Sequence, residues 1–130
     1  MAKAHGKRQT AQLRGKLWVE IAGAIALTEP GADLLEQIEA FGSLSEAARR
    51  LGYSYRRAWM LLDAMNKQWP RSLVDTKIGG KSGGGAHLTD AGHRVLHAYR
   101  DLQVQLEHLL DVSTPAFHQT AAAAGIKILE

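Results

Sequence analysis

The sequence predicts one α+β domain, mainly helical, and three observations carry that prediction. Apolar residues recur at helical spacing in four separate stretches. Two short apolar runs, within 16–28 and 73–88, are broken by small residues and glycines as hairpins are. The composition, 45% hydrophobic and 22% charged, is that of a chain able to bury a core. With 130 residues there is room for one ordinary domain and not for two.

Several classes drop out at once. There is no cysteine, which excludes a disulfide scaffold and cysteine-ligated zinc and fits a reducing, cytoplasmic setting. No apolar run approaches the ~20 residues that cross a bilayer. Met1 to Gln12 is polar and basic, without the apolar centre of a secretion signal. No membrane association is expected.

Along the chain, residues 1–15 carry basic and small polar side chains without periodicity and read as a flexible arm, leaving 16–112 as the domain. Lys16 to Thr28 reads as a short β-hairpin around Ala22-Gly23, although so alanine-rich a stretch is also compatible with a helix. Pro30 opens a helix where its missing N–H costs nothing, Leu34, Leu35, Ile38 and Phe41 form its apolar face, and Gly42 ends it. Ser43-Leu44-Ser45-Glu46 is a capping box, with Ser43 accepting an orphan N–H and Glu46 reaching back. The helix it starts turns Leu44, Ala47, Ala48 and Leu51 inward, and Gly52 closes it. Ser54 caps the next helix, with Ala58, Leu61, Leu62 and Met65 inward and Pro70 at its end. Leu73 to Ile78 is a strand, residues 79–85 a glycine-rich loop, and Ala86-His87-Leu88 the returning strand. Thr89 caps a long last helix, 89–112, in which Val95, Tyr99, Leu102, Leu106 and Leu109 step by four, three, four, three, a heptad seam suited to a second helix. Residues 113–130, with Thr114-Pro115 and no clear apolar face, read as a loose tail.

Function is sought where charge and architecture coincide. From Ser43 to Leu88 eight Lys/Arg face three acids, whereas from Thr89 onward three basic residues face five acids. The net charge of +3 is thus gathered in the middle of the chain, where a polyanion would be held. Within that segment lie two helices joined by a tight turn. Such a pair is either an ordinary αα-hairpin or a helix-turn-helix that presents its second helix to a DNA major groove. The outward face of the second helix favours the latter. Ser54, Tyr55, Arg56 and Arg57 stand at its N-terminal end, where recognition helices meet base edges and phosphates. Arg56 is better placed than Arg57, and Trp59, at the boundary of the face, reads as a packing residue. The loop holding Lys77, Lys81 and Ser82 has the composition of a β-wing, since glycines let backbone N–H groups approach a phosphate closely. Its spacing is not that of a P-loop. Arg49, Arg50, Lys77 and Lys81 are the expected phosphate contacts, and Tyr55, Arg56 and Arg57 the base readers.

Three strings carry a family resemblance: Gly42-Ser43-Leu44-Ser45-Glu46-Ala47-Ala48, Gly52-Tyr53-Ser54-Tyr55-Arg56-Arg57-Ala58-Trp59, and Gly79-Gly80-Lys81-Ser82-Gly83-Gly84-Gly85-Ala86-His87-Leu88-Thr89. Together they resemble the amino-terminal domain of ModE-type, molybdate-dependent regulators, and more distantly the LysR type. The resemblance spans about residues 16–112. It implies a winged helix-turn-helix that dimerises partly through the long last helix and binds a two-fold operator in double-stranded DNA as a homodimer. In that family the second helix carries the equivalents of Tyr55, Arg56 and Arg57 to the major groove. Full-length relatives carry carboxy-terminal molybdate-binding domains. The about 18 residues after Val112 cannot form one, so direct molybdate binding by this chain is not expected.

His93 and His97 stand four apart on the last helix, with His87 or Asp90 as conceivable third ligands. No cysteine or Glu-x-x-His pattern joins them, so no metal and no cofactor are expected. No Ser/His/Asp grouping has catalytic spacing, which argues against an enzyme. The competing class is a protein-interaction or metal-responsive adaptor built on the same fold.

Overall fold

A computed structural model describes residues 11–77 and 85–126. The elements run β1 (Val19–Ile21), β2 (Ala24–Leu27), α1 (Glu29–Phe41), α2 (Leu44–Leu51), α3 (Tyr55–Gln68), β3 (Val74–Lys77), β4 (Gly85–Leu88) and α4 (Asp90–Ala123). The chain divides into two units. One is 17–101; the other joins the segment before it to the chain from Leu102 onward.

In the first unit the expected hairpin forms, with Val19 opposite Leu27 and Ile21 opposite Ala24. Its turn places both Ala22 (φ 53°) and Gly23 (φ 82°) in the left-handed region, as the right-handed twist of a two-residue hairpin requires. Two side chains from the end of α3 dock it: Trp69 Nε1 donates to Ala26 O (2.9 Å) and Gln68 Nε2 to Ile21 O (3.1 Å). The three helices then wrap a core of Leu27, Leu34, Leu35, Ile38, Leu44, Ala47, Ala48, Ala58, Leu62 and Met65. Ala47 and Ala48 of α2 and Ala58 of α3 are fully buried or nearly so, and their small size lets the helices approach closely. Phe41 departs from expectation. It is exposed at the end of α1, and the Arg50 guanidinium covers its ring at 3.9 Å.

The second hairpin pairs Val74 with Leu88 and Lys77 with Gly85. Ala86 N donates to Gly42 O (3.1 Å), joining β4 to the end of α1. Asn66 of α3 holds the approach to β3. Its Oδ1 accepts from Leu73 N (2.9 Å) and Val74 N (3.3 Å), while its Nδ2 donates to Val74 O (3.0 Å). Thr89 caps α4 as expected, accepting from Gly92 N (3.0 Å). It also donates its hydroxyl to Ser72 O (2.8 Å), which fixes the start of the helix against the segment before β3.

Two sequence expectations about the chain's ends are corrected. The last helix does not stop at Val112 but runs to Ala123, so residues 113–123 are not a loose tail. Pro115 lies inside it and removes one backbone donor. Beside it the Thr114 hydroxyl bonds Leu110 O (2.8 Å), a local bond that a helix accommodates. Residues 11–15, expected in a flexible arm, are packed within the second unit. A Cβ at Gly15 would lie 3.2 Å from Leu110 and 3.5 Å from Leu106. His118 is buried, with its Nε2 2.9 Å from Ala11 O. Periodicity missed both features because neither the proline nor the arm carries an apolar repeat of its own.

Candidate nucleic-acid interface

The helix-turn-helix is built from caps. Ser43 Oγ accepts from Glu46 N (3.1 Å) to start α2, and Gly52, at φ 72°, ends it in the left-handed conformation. Ser54 Oγ then accepts from Arg57 N (3.0 Å) to start α3 only three residues on. Two consecutive caps around one left-handed glycine fix the entry of α3 without a long loop. Only half of the expected capping box forms. The Glu46 carboxylate turns instead to Arg49 and to Arg50 (Nε–Oε2 2.9 Å). Hydrogen bonds from those two guanidiniums, Arg49 first, hold the Glu46 pKa below the usual carboxylate range. One carboxylate against two arginines leaves this corner net positive.

The exposed face of α3 carries Tyr55, Arg56, Trp59 and Met60. Among the described residues Arg56 makes no ion pair or hydrogen bond, so its five donors are available to a ligand. Arg57 is also exposed, with its guanidinium stacked 4.0 Å over the Tyr53 ring. That stacking steadies the fork and orders a side chain that would otherwise lose entropy on binding. Trp59 corrects a sequence reading: it is not a packing residue but 50% exposed, beside Tyr55 at 56%. Tyr55, Trp59 and Met60 thus leave an unusual amount of apolar surface exposed along α3. The spacing carried only part of the signal. Met60 falls opposite Ala58, Leu62 and Met65, whereas Trp59 stands at the boundary of that face. Tyr55, two turns before Leu62, is exposed because it begins the helix. Further along, Lys67 pairs with Asp63 (2.9 Å).

Of the wing residues, Lys77 lies at the exposed end of β3. Lys81 and Ser82 lie outside the described residues. Asn66 and the Gly42–Ala86 bond are the supports that sequence reasoning missed, being long-range polar contacts without a periodic signature. The expected dimer seam divides. Tyr99 is 2% exposed and donates its hydroxyl to Leu17 O (2.6 Å), and Val95 packs on the same core, so both are inward residues of their own domain. Leu106 is half-buried, while Leu102 and Leu109 are exposed.

No protein-family model matches the chain. The ModE transcriptional regulator of Haemophilus influenzae is 38% identical over 116 residues, covering 86% of this chain and 46% of that protein. ModE of Yersinia pestis is 46% identical over 99 residues, 73% of this chain and 38% of that protein. The DNA-binding transcriptional dual regulator ModE of Escherichia coli is 42% identical over 74 residues, 57% of this chain and 28% of that protein. A mutant of S. aureus MepR superposes with a TM-score of 0.52 at 16% identity, over 75% of each chain, a likeness of fold alone. The three-helix core with two hairpins and a long last helix is a winged helix-turn-helix domain. The chain is a homologue of the ModE-type regulators and spans less than half the length of these relatives. Among the described residues, no helix is long and apolar enough to cross a membrane.

Proposed function

We propose that this chain binds double-stranded DNA as a homodimeric transcriptional regulator, with α3 in the major groove and the β3–β4 hairpin along the backbone. The observation that carries the reading is α3 itself: a helix with a capped N-terminus whose exposed face offers Tyr55, Arg56 and Trp59 together. Arg56 and Arg57 read base edges, where a forked arginine on guanine is worth about 1–3 kcal/mol of discrimination. Tyr55 and Trp59 supply flat contact area at low entropic cost. Arg49, Arg50, Lys77, Lys81 and Ser82 contact phosphates without regard to sequence, and Ser54 keeps α3 in register. The E. coli relative's name supports DNA as the ligand class.

For the dimer, the supporting feature is a stripe one position off the expected seam. Leu102, Leu109 and Val112 are exposed on α4, with Ala98, Gln105 and Ala116 completing a four-three repeat of exposed residues. Two copies joined along it present two α3 helices to grooves roughly 34 Å apart, one turn of the duplex. The test is selection of bound fragments from sheared genomic DNA. Enrichment of a palindromic site by the parent, and loss of preference at particular bases in Arg56→Ala, is the expected result. Failure to enrich any fragment overturns the reading.

A further inference from the structure

The contact between α1 and the first turns of α4 contains a ladder with an uneven last rung. Arg100 of α4 takes two carboxylates of α1, Asp33 (2.8 Å) and Glu36 (2.6 Å). One turn further along α1, Glu39 meets no arginine or lysine among the described residues. It meets two histidines instead. His93 Nδ1 and His97 Nε2 both converge on Glu39 Oε2, the latter at 3.1 Å. The carboxyl pKa is held below its usual value, foremost by the His97 hydrogen bond.

We propose that Glu39, His93 and His97 form a binding site for a divalent transition-metal ion of the zinc type. One ligand atom from each residue, two imidazole nitrogens and a carboxylate oxygen, lies within 4.8 Å of the other two. Zinc takes imidazole nitrogen at about 2.0–2.1 Å and carboxylate oxygen at about 2.0–2.2 Å, so small rotations of three exposed side chains close the site. The donor set is borderline in softness, which favours zinc over calcium or magnesium. Three protein ligands leave a fourth position to water. The histidines share one helix face four residues apart, so the backbone of α4 sets their spacing, and Glu39 comes from a different helix. The ion would displace the imidazole protons that now serve Glu39 and tie α1 to α4. Neither His87 nor Asp90, the third ligands that spacing suggested, belongs to the cluster. The site takes its three ligands from α1 and α4 and none from α3, and its test stands or falls independently of DNA binding.

Zinc chloride titrated into the full chain, followed by calorimetry, tests the site. The expected result is saturable uptake of one equivalent, weakened roughly tenfold or more in both His97→Ala and Glu39→Gln. His108→Ala, an exposed histidine elsewhere on α4, should bind as the parent does. Zinc should also raise Tm in the parent and fail to raise it in His97→Ala, whatever that variant's own Tm. Unchanged affinity in His97→Ala and Glu39→Gln, or no saturable uptake by the parent, overturns the proposal.

Discussion

Gly92 gives the sharpest test of how the wing is anchored. It sits in the first turn of α4, where alanine would ordinarily be the better helix former by about 1 kcal/mol. Here a Cβ would lie 2.1 Å from Leu73 O and 3.0 Å from Leu73 C, both backbone atoms of a fully buried residue. An ordinary contact needs about 1 Å more than that, and neither side is a flexible side chain that can swing away. Separating the two segments also disturbs Leu73 O as acceptor of Thr89 N (2.9 Å). Overpacking costs about 1–3 kcal/mol and the strained hydrogen bond about 0.5–1.5 kcal/mol. Against the propensity gain, Gly92→Ala should lose about 1–3 kcal/mol. At roughly 4 °C per kcal/mol for a domain of this size, Tm falls by about 4–12 °C. Thermal and urea unfolding measure it, with Ala64→Gly, at an exposed position inside α3, as the control for propensity alone. A Gly92→Ala protein as stable as the parent, or more so, would refute the close approach of α4 to the strand.

Further expectations follow from individual side chains. Asn66→Ala removes the acceptor of two buried backbone donors and should cost about 1–3 kcal/mol by denaturant unfolding, with Asn66→Asp, which keeps the acceptor, costing less. Burial, first among its causes, raises the Tyr99 pKa, so the folded state holds that proton more tightly than the unfolded one. Stability is therefore intact below the usual tyrosine pKa of about 10 and falls as pH rises through it. Tyr99→Phe should lose about 0.5–1.5 kcal/mol at neutral pH through the Leu17 bond, and its unfolding curve should be flatter on the alkaline side. For the dimer, Leu109→Lys should give a monomer by light scattering at tens of micromolar, about the range where a micromolar association is populated. A parent already monomeric there would remove the dimer.

Much of the fold was legible because its signals are local. Thr89, Ser43 and Ser54 as caps, Gly42 and Gly52 as stops, and the inward faces of α2 and α3 each sit within a few residues of the structure they specify. What escaped is non-local or competitive. Glu46 preferred two arginines to the backbone N–H of its own cap, a choice between partners that spacing does not rank. Trp59 was misassigned because large aromatics are usually buried, and here the inward positions were already filled by Ala58, Leu62 and Met65. The heptad seam was real as a repeat, yet its first two members serve the domain's own core, which periodicity cannot distinguish from a partner's. Glu39 and the two histidines are 54 and 58 residues apart in sequence, and only folding brings them together.

The salt dependence of duplex binding tests the central claim most directly. If Arg49, Arg50, Lys77 and Lys81 of each protomer each neutralise a phosphate, a dimer neutralises about eight. Log K should then fall against log salt with a slope near −7, from about 0.9 per phosphate. Lys77→Ala takes one cation from each protomer, so it should shallow that slope by about two while leaving base preference intact. A flat salt dependence, or a slope that Lys77→Ala leaves unchanged, would contradict a duplex held by both the helix-turn-helix and the wing.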